Sequence, residues 1–159
     1  MANGYHHARA TKRSTYIIAT LGIFAAALFY AYLGFAGWLF AVLASNIFGC
    51  IVGHTVTPDY DINQITYTKR KLIQRNKVIG WLWFYYWYPY ALLQPHRGSS
   101  HTWPYGTFIR FIITLWPLIG LLGWLVGLGE IDIILAFIIL LSIFIGQSIQ
   151  DFIHLIMDR

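Results

Sequence analysis

The chain has 159 residues, 58% hydrophobic and 18% aromatic, with only 11% charged against about 25% in an average soluble domain. Its formal net charge of +5 is collected in a few blocks between long uncharged runs, the pattern of a small polytopic membrane protein. The apolar fraction, the lone Cys50 and the absence of a sustained heptad exclude a disordered segment, a disulfide scaffold, collagen and a coiled coil.

Residues 1–15 are polar and basic and are expected to form a short cytoplasmic tail ahead of one helical membrane domain, residues 16–159. A second span follows at once, so the first acts as an uncleaved anchor and not as a secretory signal. His6 and His7 in the tail are expected to be solvated. Residues 16–53 are 38 residues without a charge, and a helical span takes about 20. Two helices are therefore predicted, with a break near Leu33 and Gly34. Cys50 lies in the apolar part of the second, where a free thiol behaves as a small buried hydrophobe.

The basic cluster from Lys69 to Lys77 fits headgroup contact and a cytoplasmic loop better than a nucleic-acid patch, and no nucleic-acid partner is expected. Residues 78–95 carry a Trp/Tyr cluster, residues 81–90, of the kind found at headgroup depth, and predict an interfacial or re-entrant helix. Residues 111–129 and 133–150 are further uncharged runs of 19 and 18 residues. They read as a helical hairpin closed by the polar turn at residues 129–132.

With that arrangement all eleven Lys and Arg fall on one side, as the positive-inside rule requires. The fold class is all-α: four transmembrane helices plus the aromatic helix, in a bacterial cytoplasmic or thylakoid membrane, with both termini cytoplasmic.

The same topology gathers polar residues from three distant segments. His54 closes the second span and leads into Pro58, Asp59, Tyr60 and Asp61. The loop before the third span carries His96, Arg97, Gly98, Ser99, Ser100 and His101. The last span ends in Gln147, Asp151, His154 and Asp158, whose 4, 3, 4 spacing makes one polar stripe on a helix. All three segments reach the cytoplasmic side.

Imidazole nitrogen plus carboxylate oxygen is the donor set of a divalent transition metal, zinc first, with manganese or iron as alternatives. The candidate ligands are His54, Asp59, His96, His101, Asp151 and His154, more than one ion needs, so one or two ions are accommodated. Such an ion polarises a phosphoryl oxygen and lowers the pKa of a water. Asp59 or Asp61 would serve as general base, and Arg97 would hold a phosphate. Asp61 and Asp158 could instead orient a ligand imidazole. Each carboxylate also has a plainer role open to it: Asp151 in particular could be solvated, pair with Arg97 or Arg110, or make a polar contact between helices.

His54, then Pro58-Asp59-Tyr60-Asp61, then His96-Arg97-Gly98-Ser99-Ser100-His101, then Asp151 and His154, resembles a bacterial family of metal-binding membrane proteins without an assigned activity. The pattern is similar to that of the LexA-regulated membrane-bound metal-dependent hydrolase family, over residues 50–158. Thr102 stands where that family is expected to have Ser. The resemblance implies a metal held by His54, Asp59, His96 and His101 together with Asp151, and hydrolysis of a lipid-linked phosphoester at the membrane face.

Two functions compete. The first is a metal-dependent hydrolase of a phospholipid or lipid-linked phosphoester, with the aromatic helix guiding the headgroup. The second is a non-catalytic metal-binding accessory subunit or regulator, its apolar spans docking to a membrane-protein partner. An iron oxygenase needs more His than the four outside the tail. A transporter would be marked by a charge mid-span, and none is present.

Overall fold

The structure, a computed structural model, describes residues 4–33, 37–57, 65, 67–93 and 102–157. Every regular element among them is an α-helix: α1 (Gly4–Leu33), α2 (Gly37–Thr55), α3 (Tyr67–Arg75), α4 (Lys77–Leu93), α5 (Tyr105–Gly127) and α6 (Ile133–Met157). The chain is thus all-α as expected. Three helices among the described residues, α2, α5 and α6, are long and apolar enough to cross a membrane. Large side chains such as Trp116, Trp124, Ile134 and Phe137 stand exposed on them, an apolar surface compatible with a multi-pass membrane protein.

α1 starts at Gly4, within the segment expected to form the tail, and runs unbroken to Leu33. No proline interrupts residues 4–33, and Ala, Arg and Lys are good helix formers, so nothing halts the helix where its charges begin. Arg9, Lys12 and Arg13 face outward, while Thr11, one of the most buried residues in the molecule, faces the bundle. The break between α1 and α2 falls where the sequence predicts it, and the turn itself lies outside the described residues.

α2 and α6 form the tightest pair. Gly49 and Gly53 on one helix and Gly146 on the other lie on the shared face, the small-xxx-small arrangement that lets membrane helices approach backbone to backbone. A Cβ on Gly49 would overlap the Ile143 carbonyl, and one on Gly146 would overlap the Asn46 carbonyl. A Cβ on Gly53 would lie 2.8 Å from Gln150 Cβ. Asn46 Nδ2 adds a hydrogen bond to the Ser142 carbonyl at 3.1 Å. These contacts rise together along both chains, so the two helices run parallel.

The α5–α6 hairpin is closed by local chemistry. Gly129 takes the left-handed conformation, φ 74°, that glycine accepts at no steric cost. Asp132 then caps α6, its Oδ1 accepting from the backbone N–H of Ile134 at 2.7 Å and of Leu135 at 3.3 Å.

The aromatic segment is α4, capped by Asn76 Oδ1 on the Ile79 N–H. Its 17 residues do not make it one of the three candidate spans. Trp87 and Tyr90 turn inward to join Val52, Val56, Phe111, Leu115 and Ile143 in the core, while Trp81, Tyr85 and Tyr88 stay exposed. Tyr86 has a specific task. Pro117 inside α5 has no N–H, which deprives the Ile113 carbonyl of its helical partner. The Tyr86 hydroxyl donates to that carbonyl and accepts from Trp116 Nε1 at 3.2 Å.

Candidate functional site

The polar side chains of the bundle meet at one end. Thr11 of α1 contacts His54 of α2, Ser14 of α1 contacts Gln150 of α6, and Arg110 of α5 contacts Asp151 of α6. α1 and α5 bring their N-terminal turns and α2 and α6 their C-terminal turns, so the directions alternate and four helix ends lie together. The convergence of His54 with the α6 stripe follows from this.

The stripe is buried. Gln147 is 0% exposed, Asp151 1% and His154 2%. Arg110, the only charged residue between Trp103 and Gly129, reaches across from α5 and donates from Nη2 to Asp151 Oδ2 at 2.6 Å. Withdrawing two charges from solvent costs several kcal/mol per ion, roughly offset when the geometry is this close. The pairing of Asp151 with Arg110 is one of the plainer roles open to it in the sequence. It leaves Asp151 Oδ1 buried without a hydrogen bond, and Thr107 Oγ1 and both amide atoms of Gln147 are in the same state among the described residues. Unsatisfied buried polar atoms are uncommon in folded proteins, and these four lie within one turn of the Arg110–Asp151 pair along α5 and α6.

A second polar cluster joins α1, α2 and α6. His54, half-buried, shares a 2.6 Å hydrogen bond through Nδ1 with Thr11 Oγ1. Gln150 Oε1 accepts from Ser14 Oγ at 2.9 Å, and Gln150 Nε2 donates to Thr15 Oγ1 at 3.1 Å. Thr15 in turn donates to the Thr11 carbonyl at 2.9 Å. Lys12 and Lys71 act electrostatically on His54 and disfavour further positive charge there.

Of the residues singled out in the sequence, His54, Asp151 and His154 come to the same end of the bundle. Asp59, Asp61, His96, Arg97, His101 and Asp158 lie outside the described residues. Among the described residues no three His, Cys, Asp or Glu are grouped to hold a metal. His54, Asp151 and His154 carry the donor atoms of a metal site, imidazole nitrogen and carboxylate oxygen, and share one end of the bundle without being grouped around one point. The segments holding Asp59 and the His96 and His101 pair adjoin described residues at Thr57 and Thr102. Thr57, where the first departs, is buried, and Trp103, just beyond the second, donates from Nε1 to Ser148 Oγ at 2.9 Å.

Thr11, Ser14, Thr15 and Gln150 belong to the polar end without having been singled out. The signal for Gln150 was present in the density of polar residues from Gly146 to His154. Thr11 was hidden among charges that resemble a solvated tail.

No family model, curated protein or solved structure matches the chain.

Proposed function

We propose that the chain is a metal-dependent membrane hydrolase acting on a phospholipid or lipid-linked phosphoester at the cytoplasmic face. The apolar part of α1 supplies a fourth span beside α2, α5 and α6, and α4 lies as an interfacial or re-entrant helix. One or two divalent ions, zinc first, are held by His54, Asp59, His96, His101, Asp151 and His154. A divalent ion supplies Lewis acidity and a water acidic enough to deprotonate near neutral pH. Asp59 or Asp61 takes the proton of the attacking water, and Arg97 holds the phosphate.

The observation that carries this proposal is the buried Asp151, whose Oδ1 keeps open lone pairs beside His154 while Arg110 fixes Oδ2. An ionisable residue so deep in an apolar bundle is costly and marks a functional site by default. The sequence resemblance, with its His-Arg-Gly-x-x-His segment, supports His54, Asp59, His96, His101 and Asp151 among these ligands.

Metal content per protein, measured by mass spectrometry on detergent-purified wild type and His101→Ala, tests it. One or two equivalents of zinc, manganese or iron in the wild type, lost in the variant, is the expected result; a metal-free wild type overturns it. The Arg110–Asp151 pair also favours a second reading, a non-catalytic metal-binding accessory subunit, because the carboxylate is partly satisfied as in a structural contact. Vanadate or phosphate binding to the metal-loaded protein separates them: binding supports the hydrolase, and its absence with metal retained supports the accessory subunit.

A further inference from the structure

We infer that the start of α1 and the α3–α4 junction form one basic surface that selects anionic phospholipid headgroups. The inference rests on the part of the proposed function that sets the chain in a bilayer, and needs neither its metal nor its hydrolysis. Residues 1–93 carry eight Lys and Arg against two Asp, Asp59 and Asp61. Arg9, Lys12 and Arg13 of α1, Arg70 and Arg75 of α3 and Lys77 at the head of α4 are all exposed.

The fold joins two basic stretches that are distant in sequence. α1 and α3 touch, and Lys12 of the one and Lys71 of the other both act electrostatically on His54. Both stretches therefore share the polar end of the bundle. No Asp or Glu lies on α1, α2, α3 or α4, so the surface these helices build attracts anions. α3 is held firmly against α4: a Cβ on Gly80 would overlap the Ile73 backbone, and Lys69 Nζ stands 5.5 Å over the centre of the Phe84 ring.

What lies beside the cations decides which anion is taken. On α1 the exposed side passes from Lys12 and Arg13 to Tyr16, with Lys12 Nζ 5.8 Å from the centre of the Tyr16 ring, and then to Ile17, Leu21 and Phe24. On α4 one exposed face carries Lys77, Trp81, Tyr85 and Leu92. Inorganic phosphate gains nothing from exposed rings and aliphatic chains next to the cations that hold it. A phospholipid carries the anion and the hydrocarbon in one molecule. The spacing fits as well: the turn from Lys12 to Tyr16 rises about 6 Å, close to the headgroup layer of about 5–7 Å on each side of the hydrocarbon core. Lys12 then reaches the phosphates while Tyr16 lies just below them, where Tyr and Trp are enriched.

The test reconstitutes full-length protein in bilayers of equal parts phosphatidylglycerol and phosphatidylcholine, extracts it in neutral detergent and counts the retained lipids by native mass spectrometry. Wild type is expected to retain phosphatidylglycerol in preference. Lys12→Gln with Arg13→Gln, and separately Arg75→Gln with Lys77→Gln, are each expected to lower that preference by about 5- to 25-fold, at about fivefold for each basic residue near an anionic surface. Arg75→Lys with Lys77→Arg, which keeps the charge, is expected to retain it. Leu128→Glu with Ile133→Glu changes the net charge by the same amount at the opposite end of the bundle, and is expected to leave the preference intact. No preference in the wild type, a loss confined to one of the two Gln pairs, or an equal loss in the Glu pair overturns the inference. Metal content measured on the same samples keeps the two readings apart. A metal-loaded wild type without headgroup preference overturns this inference alone, and a metal-free wild type that retains phosphatidylglycerol overturns the hydrolase and leaves the basic surface standing.

Discussion

α6 is packed on two sides by opposite means. Toward α2 it offers Gly146 to a surface holding Gly49 and Gly53, and backbones meet with almost no side chain between them. Toward α5 it presents Asp151, which receives a buried arginine, in a stripe with Gln147 and His154 that is also buried. In a bilayer no hydrophobic gain accompanies the pairing of two apolar helices, so the first interface is held by close van der Waals contact. The second retains polar groups that apolar residues of like size could replace with little loss. A surface that keeps such groups where packing does not need them is where chemistry is to be sought.

The largest expected effect comes from breaking the polar side. Arg110→Ala leaves a buried carboxylate uncompensated, a change that costs about 3–5 kcal/mol where buried pairs are broken. Thermal unfolding in detergent is expected to show a large drop in midpoint. The double variant Arg110→Met with Asp151→Leu is expected to recover most of that stability while binding less metal than wild type. Full metal content in the double variant would remove Asp151 from the site.

Next in size is the glycine side. Gly146→Val forces a branched side chain against the Asn46 carbonyl and the Cys50 backbone nitrogen, and overpacking of this kind costs about 1–3 kcal/mol, at times more. Unlike Arg110→Ala, no second substitution with a neutral charge balance is expected to rescue it. A cysteine cross-link between α2 and α6 that forms equally well in Gly146→Val and wild type would show that the close approach is dispensable.

A smaller effect belongs to Tyr86→Phe. The phenol supplies the partner that Pro117 withholds from the Ile113 carbonyl, and leaving a carbonyl without one costs about 1–3 kcal/mol when it is buried. This hydrogen bond is exposed, so the expected loss lies at the low end. A double variant tests the cause: combining Tyr86→Phe with Pro117→Ala, which returns the helical N–H, is expected to cancel the loss.

The two sides of α6 also differ in how far the sequence discloses them. The apolar runs announce the helices, because uncharged length is a strong signal in a membrane chain. Gln147, Asp151 and His154 were legible as one stripe, since polar residues at helical spacing stand out against Ile and Leu. Gly49-xxx-Gly53 was equally readable as a close-packing face, yet which helix it would meet depends on tertiary pairing that spacing does not encode. The start of α1 was hidden for a different reason. Charges at residues 9, 12 and 13 look like a solvated tail whether or not the chain is helical there, and only the direction of Thr11, Ser14 and Thr15 toward α2 and α6 distinguishes the two. The partner of Asp151 stayed open because Arg97 and Arg110 both lay within reach of the right side.

The substitution expected to cost no stability sharpens the comparison most. Gln147→Leu replaces a fully buried amide, neither end of which has a hydrogen bond among the described residues, by an apolar group of similar size. If α5 and α6 were joined only for stability, removing such an amide would relieve about 1–3 kcal/mol of unmet desolvation, and the unfolding midpoint is expected to hold or rise. A fall would mean that the amide supports the fold through a partner. Gln147 lies one turn before Asp151 on the same face, so the metal content of the variant decides which partner. A stable Gln147→Leu protein with reduced zinc content is the expected outcome, because it separates what the polar side of α6 does for the fold from what it does for the site. A variant both more stable and fully metal-loaded would place Gln147 outside the site, and leave the Asp151–Arg110 pair as the boundary of the polar chemistry on that helix.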